Sequence, residues 1–230
     1  MIYAMSDIHG CYDLYTEMLG RINFSDSDTL FVLGDTIDRG DDGIKILSDM
    51  MNRKNIVPII GNHEYMAYSV MKKVNENIKR GSDTNDNSAE SMIWMYNGGA
   101  KTLGDFIKLD RESRERIIDY IGSFEAYCEL EADGNDFVLL HGGLKDFSQS
   151  KRLGEYDIDD IVWHRCNYDR QYYSDKYLVT GHTPTCIIDP YYEGRIYKKN
   201  NHIAIDCGAV FLGRLGCICL NTLEEFYTDN

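Results

Sequence analysis

The chain is poor in proline, in tryptophan and in positive charge. It has three prolines, two tryptophans, and 24 lysines and arginines against 38 aspartates and glutamates. With so few prolines and no Ser/Gly/Pro-rich tract, nothing reads as a linker, and one domain over 1–230 is expected. The formal net charge of -14 argues against nucleic acid or an anionic membrane as partner. It says little about an active site, because bound metal ions reverse a local potential. No apolar run approaches the ~20 residues of a membrane span. The opening "MIYAMSDIHG" lacks the basic stretch, long apolar segment and cleavage site of a secretion signal. A soluble, cytoplasmic protein is therefore expected. The seven cysteines include no C-x-x-C pair and suit a reduced cytosolic chain; Cys217 and Cys219, two apart, should share one face of a strand.

What is present is patterned. "IYAMS" (2–6), "TLFVL" (29–33) and "NIVPII" (55–60) are short apolar runs bounded by turn residues and read as buried strands. "YDLYTEMLGRI" (12–22) and "GIKILSDMM" (43–51) between them carry helical spacing, so the first third predicts βαβ units and a largely parallel sheet. A longer helix follows over 64–80, then a polar stretch, 81–90, to which no structure is assigned. Residues 90–106 read as short helices broken at Gly98-Gly99, and 110–123 as an amphipathic helix. The second half turns strand-rich: "FEAYCELEAD", "DFVLLH", "YLVTGH", "HIAIDCG", "GCICLN" and "EEFYT". No internal repeat is present.

Five apolar runs finish in metal-binding residue types. Asp7 and His9 follow the first, Asp35 the second and Asn62 the third; His141 and His182 end two later ones, and most lie beside a glycine. Ligands gather outside the carboxyl ends of strands in α/β sheets, so these residues are expected to meet. Burying so many carboxylates and imidazoles is costly unless coordination neutralises them. His, Asp and Asn without cysteine favour Mn, with Fe or Zn as alternatives. Six ligands exceed one tetrahedral centre but suit two divalent ions sharing a carboxylate, the clamp ~3.5–4 Å across that hydrolyses phosphate esters with a bridging hydroxide. Spacing leaves open which ligand serves which ion.

With these residues in view, "DIHG" (7–10), "GDTIDRG" (34–40), "GNHE" (61–64), "HGG" (141–143) and "GHTP" (181–184) resemble the ordered signature of the metal-dependent phosphoprotein phosphatases, a branch of the calcineurin-like metallophosphoesterases. "WMYNGGAKTL" (94–103), "IVWHR" (161–165) and "IDCGAVFLGRL" (205–215) resemble the bacterial and phage members, typified by the bacteriophage lambda phosphatase. The resemblance implies an αββα sandwich with a dinuclear metal site at the strand C-terminal ends. It implies Asp7 and His9 on a first ion, Asp35 bridging, and Asn62, His141 and His182 on a second. His63 would be the general acid, oriented by Asp38. Arg39 and Arg165 would grip phosphate, with Asn62 beside them. A proton delivered by His63 makes chemical sense, since an alkoxide leaves poorly without one.

Other residues read as structural. His202 is expected at a strand end on the surface, and Asp206 in a structural hydrogen bond. Glu64 should open a helix, where a carboxylate complements the dipole. His164 lies outside the site. The pairs Tyr172-Tyr173 and Tyr191-Tyr192 are taken as packing residues, and Lys198-Lys199 as a solvated face. The leading function is hydrolysis of phosphoserine and phosphothreonine in proteins, with phosphotyrosine as a secondary substrate to be tested. The alternative is symmetrical diadenosine tetraphosphate hydrolysis, against which the acidity and the lack of an added Arg/Lys cluster weigh. A catalytically dead binding module would show a damaged ligand or a lost His63, and none is damaged.

Overall fold

The computed structural model describes residues 1–82, 84 and 88–229. Strands and helices alternate first: β1 (Ile2–Met5), α1 (Tyr12–Arg21), β2 (Thr29–Leu33), α2 (Gly43–Met51) and β3 (Ile56–Ile59). A helical block follows, α3 (Asn62–Lys79), α4 (Ala89–Tyr96), α5 (Ala100–Lys108) and α6 (Arg111–Ile121). The second half holds β4 (Tyr127–Ala132), β5 (Asn135–Leu140), α7 (Ile158–Val162), β6 (Lys176–Thr180), α8 (Thr185–Ile188), β7 (Tyr197–Lys199), β8 (His202–Ala204), α9 (Ala209–Leu212), β9 (Gly216–Cys219) and β10 (Glu225–Tyr227).

Two five-stranded sheets result, ordered β10-β9-β1-β2-β3 and β4-β5-β6-β8-β7. In the first, β1, β2 and β3 run parallel; in the second, β5, β6 and β8 do. Alternation along each strand splits its apolar residues between two faces. Phe31 and Leu33 of β2 meet Phe137 and Leu139 of β5 in a layer between the sheets, joined by Ile59, Val179 and Ile203. Leu30 and Val32 turn the other way, onto Tyr15, Met18 and Leu19 of α1 and Ile46 and Met50 of α2. Val138 and Leu140 likewise pack outward on Phe147, Leu153 and Ile161. This is the αββα sandwich, each fully buried Ile, Leu or Phe of its middle layer contributing about 1.5–3 kcal/mol. Helices α2, α3, α5 and α6 close a further cluster around Trp94 and Phe106.

Several expectations shift. α3 begins at Asn62, so Asn62 and His63 sit in the first turn of a helix and not at a strand end. Of the stretch 81–90, residues 83 and 85–87 lie outside the described residues, while 89 and 90 open α4, where Ser88 Oγ accepts the Ser91 N–H. Lys198 and Lys199 belong to β7, a short strand whose apolar content is too low to flag. Cys217 and Cys219 are buried on one face of β9 as expected, and the seven cysteines are unbridged. Among the described residues, no helix is long and apolar enough to cross a membrane.

Candidate active site

The parallel strands of both sheets stop at the same edge of the sandwich, and the segments after them are stitched together. Behind β1 and β2 the chain runs side by side: the Asp7 N–H donates to Gly34 O, His9 N–H to Asp35 O and Gly10 N–H to Thr36 O. His141, directly after β5, reaches the first sheet with its Nδ1 2.7 Å from Leu33 O. His182, after β6, donates its backbone N–H to Asp7 Oδ2 at 2.9 Å. The backbone of Gly34, at φ +75°, passes so near Gly61 that a Cβ would fall 2.4 Å from Gly61 Cα. Only glycine permits both the angle and the approach.

Left-handed backbone concentrates here. Asp7, His9, Asp35, Asp38, Arg39 and His182 all have φ between 46° and 69°. Such conformations cost a non-glycine residue of order 1–3 kcal/mol and persist where the surroundings impose them. They redirect successive side chains within short connections, which is how "GDTIDRG" delivers three functional groups from seven residues.

Asp35 stands at the centre, buried. Its Oδ2 lies 3.6 Å from His9 Nε2 and 3.9 Å from His63 Nε2, and its Oδ1 lies 3.3 Å from His141 Nε2. Two groups of donors that could each hold a metal ion share it: His9, Asp35 and His63, and Asp35, His141 and His182. Asn62 Oδ1 is 3.0 Å from His141 Nε2, on the second side. Asp7 is buried next to both, within electrostatic reach of Asp206, His141 and Asp35. The second donors are already committed: His9 Nδ1 to Ile37 O, His141 Nδ1 to Leu33 O, His63 Nδ1 to Asp38 Oδ2. Their Nε2 atoms are thereby turned to the interior, the arrangement by which outer partners aim metal-binding imidazoles.

The electrostatics are those of a crowded, desolvated cluster. Burial, reinforced by Asp206, pushes the Asp7 carboxyl well above its usual range. Burial would raise Asp35 too, but His141, His63 and His9 hold it well below. Burial lowers the His9 and His182 imidazoles to about 3, so both are neutral, as ligation requires. His141 is raised to about 10; burial opposes the shift, and the Asp35 and Asp7 carboxylates prevail. Carboxylates, imidazoles and an amide packed together are donors of the kind that hard to borderline divalent ions take.

Arg39 is exposed at the rim, its Nη1 donating to His9 Nε2 at 2.6 Å and its guanidinium 5.4 Å from the exposed Phe211 ring. Arg165 is exposed and close enough to His182 to depress that imidazole further. Asp206 is buried and accepts the Gly208 N–H at 3.0 Å, the structural bond expected of it.

Three groups escaped the sequence reading. Glu64 does more than complement a helix dipole: fully buried, it accepts the N–H of Asp35, the N–H and O–H of Thr36 and the N–H of Gly61. The spacing Gly61 to Glu64 is that of a capping box, the one local hint of this role. Trp94 donates to Asp38. His202, expected on the surface, is buried in β8 with Nε2 2.9 Å from Thr180 Oγ1, stacked against Tyr168. Tyr168 stacks on the ring and Tyr172 meets it edge-on, which covers it on the sheet face. Tyr172 packs in the core and Tyr191 on the surface, edge to face with Tyr192, in keeping with packing roles.

The profile of the calcineurin-like phosphoesterase family matches residues 1–201. Among curated proteins, the chain is 29% identical to serine/threonine-protein phosphatase 2 of Salmonella typhimurium, over 71% of this chain and 67% of that one. It is 25% identical to serine/threonine-protein phosphatase 1 of the same organism, over 93% and 89%. It is 39% identical to the symmetrical bis(5'-nucleosyl)-tetraphosphatase of Wigglesworthia glossinidia brevipalpis, over 70% of this chain but 63% of that enzyme, so less than two thirds of that relative's length is spanned. Of solved structures, one provisionally assigned as a diadenosine tetraphosphatase shares the fold with a TM-score of 0.67 at 15% identity, covering 99% of this chain and 92% of the other. Both sheets, their flanking helices and the His/Asp cluster agree with that fold, and the chain belongs to the calcineurin-like phosphoesterase family of hydrolases.

Proposed function

We propose that this protein is a metal-dependent phosphomonoesterase acting on phosphoserine, phosphothreonine and phosphotyrosine in proteins. The observation that carries the reading is Asp35, a carboxylate shared between two sets of imidazoles with the His63–Asp38 pair opening on the same space. In this assignment Asp7 and His9 hold one ion, Asn62, His141 and His182 the other, and Asp35 both. Two divalent ions, manganese foremost, would supply the Lewis acidity that neutralises phosphoryl charge and eases ionisation of water.

The chain's own groups do the rest. Arg39, beside His9, and Arg165, near His182, are exposed and take phosphate oxygens in their planar forks. His63 holds a proton at Nε2 for the leaving oxygen. Its imidazole is raised overall: burial lowers it, but Asp35 and the bond to Asp38 outweigh that. His141 is raised as well, yet by Asp35 and Asp7, whose charge the ions would take up. His63 has a second partner in Asp38, which belongs to neither donor group and stays bonded to its Nδ1. Water oxygen bonds to phosphorus, the bond to the leaving oxygen breaks, and the Nε2 proton ends on the leaving group. Such proton transfer contributes ~10²–10⁴-fold.

A second reading is symmetrical diadenosine tetraphosphate hydrolysis, supported by the Wigglesworthia relative and by the exposed Phe211 ring beside Arg39, a surface on which a base can stack. The lack of an added Arg/Lys cluster beside the motifs in the sequence and the net charge of -14 support the monoester instead. The test is kcat/KM with added Mn for phosphoserine, phosphothreonine and phosphotyrosine peptides beside diadenosine tetraphosphate. Preference for the peptides upholds the first reading; about hundredfold preference for the dinucleotide replaces it with the second.

A further inference from the structure

Asp38 is gripped from a part of the chain remote from the metal-binding motifs. The Trp94 Nε1–H donates to Asp38 Oδ2 at 2.6 Å, the same oxygen that receives His63 Nδ1–H at 2.7 Å. All three side chains are fully buried. The other oxygen, Oδ1, is buried and has no hydrogen-bond partner among the described residues. A few residues further on, Thr102 Oγ1 accepts the Asp38 N–H at 3.0 Å, and Gly98 O accepts the Arg39 N–H at 3.2 Å. The one segment 94–102 thus holds both the Asp38 side chain and the left-handed backbone of Asp38 and Arg39, at φ 69° and 67°.

The seat of the indole is built for it. A Cβ on Gly99 would lie 2.5 Å from the Trp94 ring, so a glycine there is what lets the indole lie flat against the backbone. Trp94 is at the same time the largest fully buried side chain, packed with Phe106 and Met71 in the helical cluster. Packing alone would be served by phenylalanine or leucine. The indole adds one directed donor, spent on the carboxylate that orients His63.

We propose that Trp94 is a positioning residue for proton delivery: its N–H fixes Asp38 Oδ2, and through it the direction in which His63 Nε2 presents its proton. This rests on the reading of His63 as general acid. With the indole N–H gone, Asp38 can turn about its terminal torsion and offer either oxygen, because Oδ1 is already unpartnered. His63 then loses its fixed orientation while the metal-binding groups stay in place. The loss therefore falls on substrates whose leaving oxygen needs a proton, and spares those that leave well unaided.

The experiment compares kcat/KM for p-nitrophenyl phosphate, whose leaving group departs readily, with that for a phosphoserine peptide, in wild type, H63N and W94F loaded with Mn. The H63N variant should lose far more on the peptide than on the aryl ester. W94F should show the same direction, its peptide-to-aryl ratio falling about tenfold, the worth of one hydrogen bond to a charged group. Metal stoichiometry by calorimetry should be unchanged in both. If H63N shows no such discrimination, the general-acid reading itself fails. If H63N discriminates and W94F loses both substrates equally, Trp94 is only a packing residue.

Should W94F fail to fold, the indole proton answers in its place. With Trp163→Phe leaving one tryptophan, the Trp94 Nε1–H should resonate downfield of a free indole and exchange slowly, and move back in a W163F/D38N chain. An unshifted, freely exchanging indole proton would overturn the proposal.

Discussion

Glu64 Oε2 accepts the backbone N–H of Asp35 at 2.8 Å, while its other oxygen takes both the N–H and the O–H of Thr36 at 2.7 Å each. The first turn of α3 thereby braces the turn after β2, and the residue shared by the two candidate donor groups is held from behind by a buried carboxylate. Burial, and then Asp35, raise the Glu64 carboxyl, while Thr36 and the backbone donors pull it back.

Removing that brace strands buried donors. Glu64→Ala should cost about 3 kcal/mol or more, since each unmet buried donor costs ~1–3 kcal/mol. Glu64→Gln keeps an acceptor oxygen and should lose less. Urea unfolding measures the cost, and calorimetry should show weakened Mn binding in Glu64→Ala. A Glu64→Ala chain with wild-type stability would mean Asp35 is held by β2 alone.

Asp35→Asn should impair both metal positions at once, because both donor groups include Asp35. His182→Ala belongs to only one group and should reduce bound Mn from two ions to one per chain. Metal content after gel filtration reads the difference. Two ions retained by Asp35→Asn would remove it from the shared position.

Arg39 and Arg165 should act on phosphate affinity. Truncating either to alanine should raise KM and the inhibition constant of inorganic phosphate about ten- to hundredfold, as loss of a charge-assisted contact does. Lysine should rescue poorly at a site that needs a planar fork. If KM is untouched and kcat alone falls, the arginine bears on the transition state and not on phosphate binding.

Acid should destabilise the fold through His202. Burial lowers its imidazole to about 3 in the folded chain, against ~6.5 when unfolded. Between those values the unfolded chain takes up a proton that the folded chain refuses. Its contribution is therefore complete above about pH 6.5 and declines as pH falls toward 3. At about pH 5 the penalty is about 2 kcal/mol. Urea unfolding at about pH 7 and pH 5 should show a smaller acid loss in His202→Gln than in wild type. Equal slopes would place that proton elsewhere.

Legibility followed range. β2 and α2 fall where periodicity puts them, at 29–33 and 43–51, and the break at Gly98-Gly99 divides α4 from α5. These features depend on neighbours within a few residues. The short β7 has no local signature, because three residues ending in two lysines carry no apolar alternation, and partner strand β8 decides their state. His202 was misplaced for a related reason: a histidine at a strand end is exposed or buried according to what lies beside that strand.

The sequence by itself determined the alternation of strand and helix, the candidate donor residues and the family, because donor type and glycine placement are written in contiguous motifs. Tertiary structure decided how those motifs meet. It set Asp35 between two imidazole groups, turned six site residues into left-handed backbone, and brought Glu64 to Thr36 and Trp94 to Asp38 across 28 and 56 residues of chain. Such bonds depend on the packing of whole elements, and the folded core fixes them where local propensity is silent.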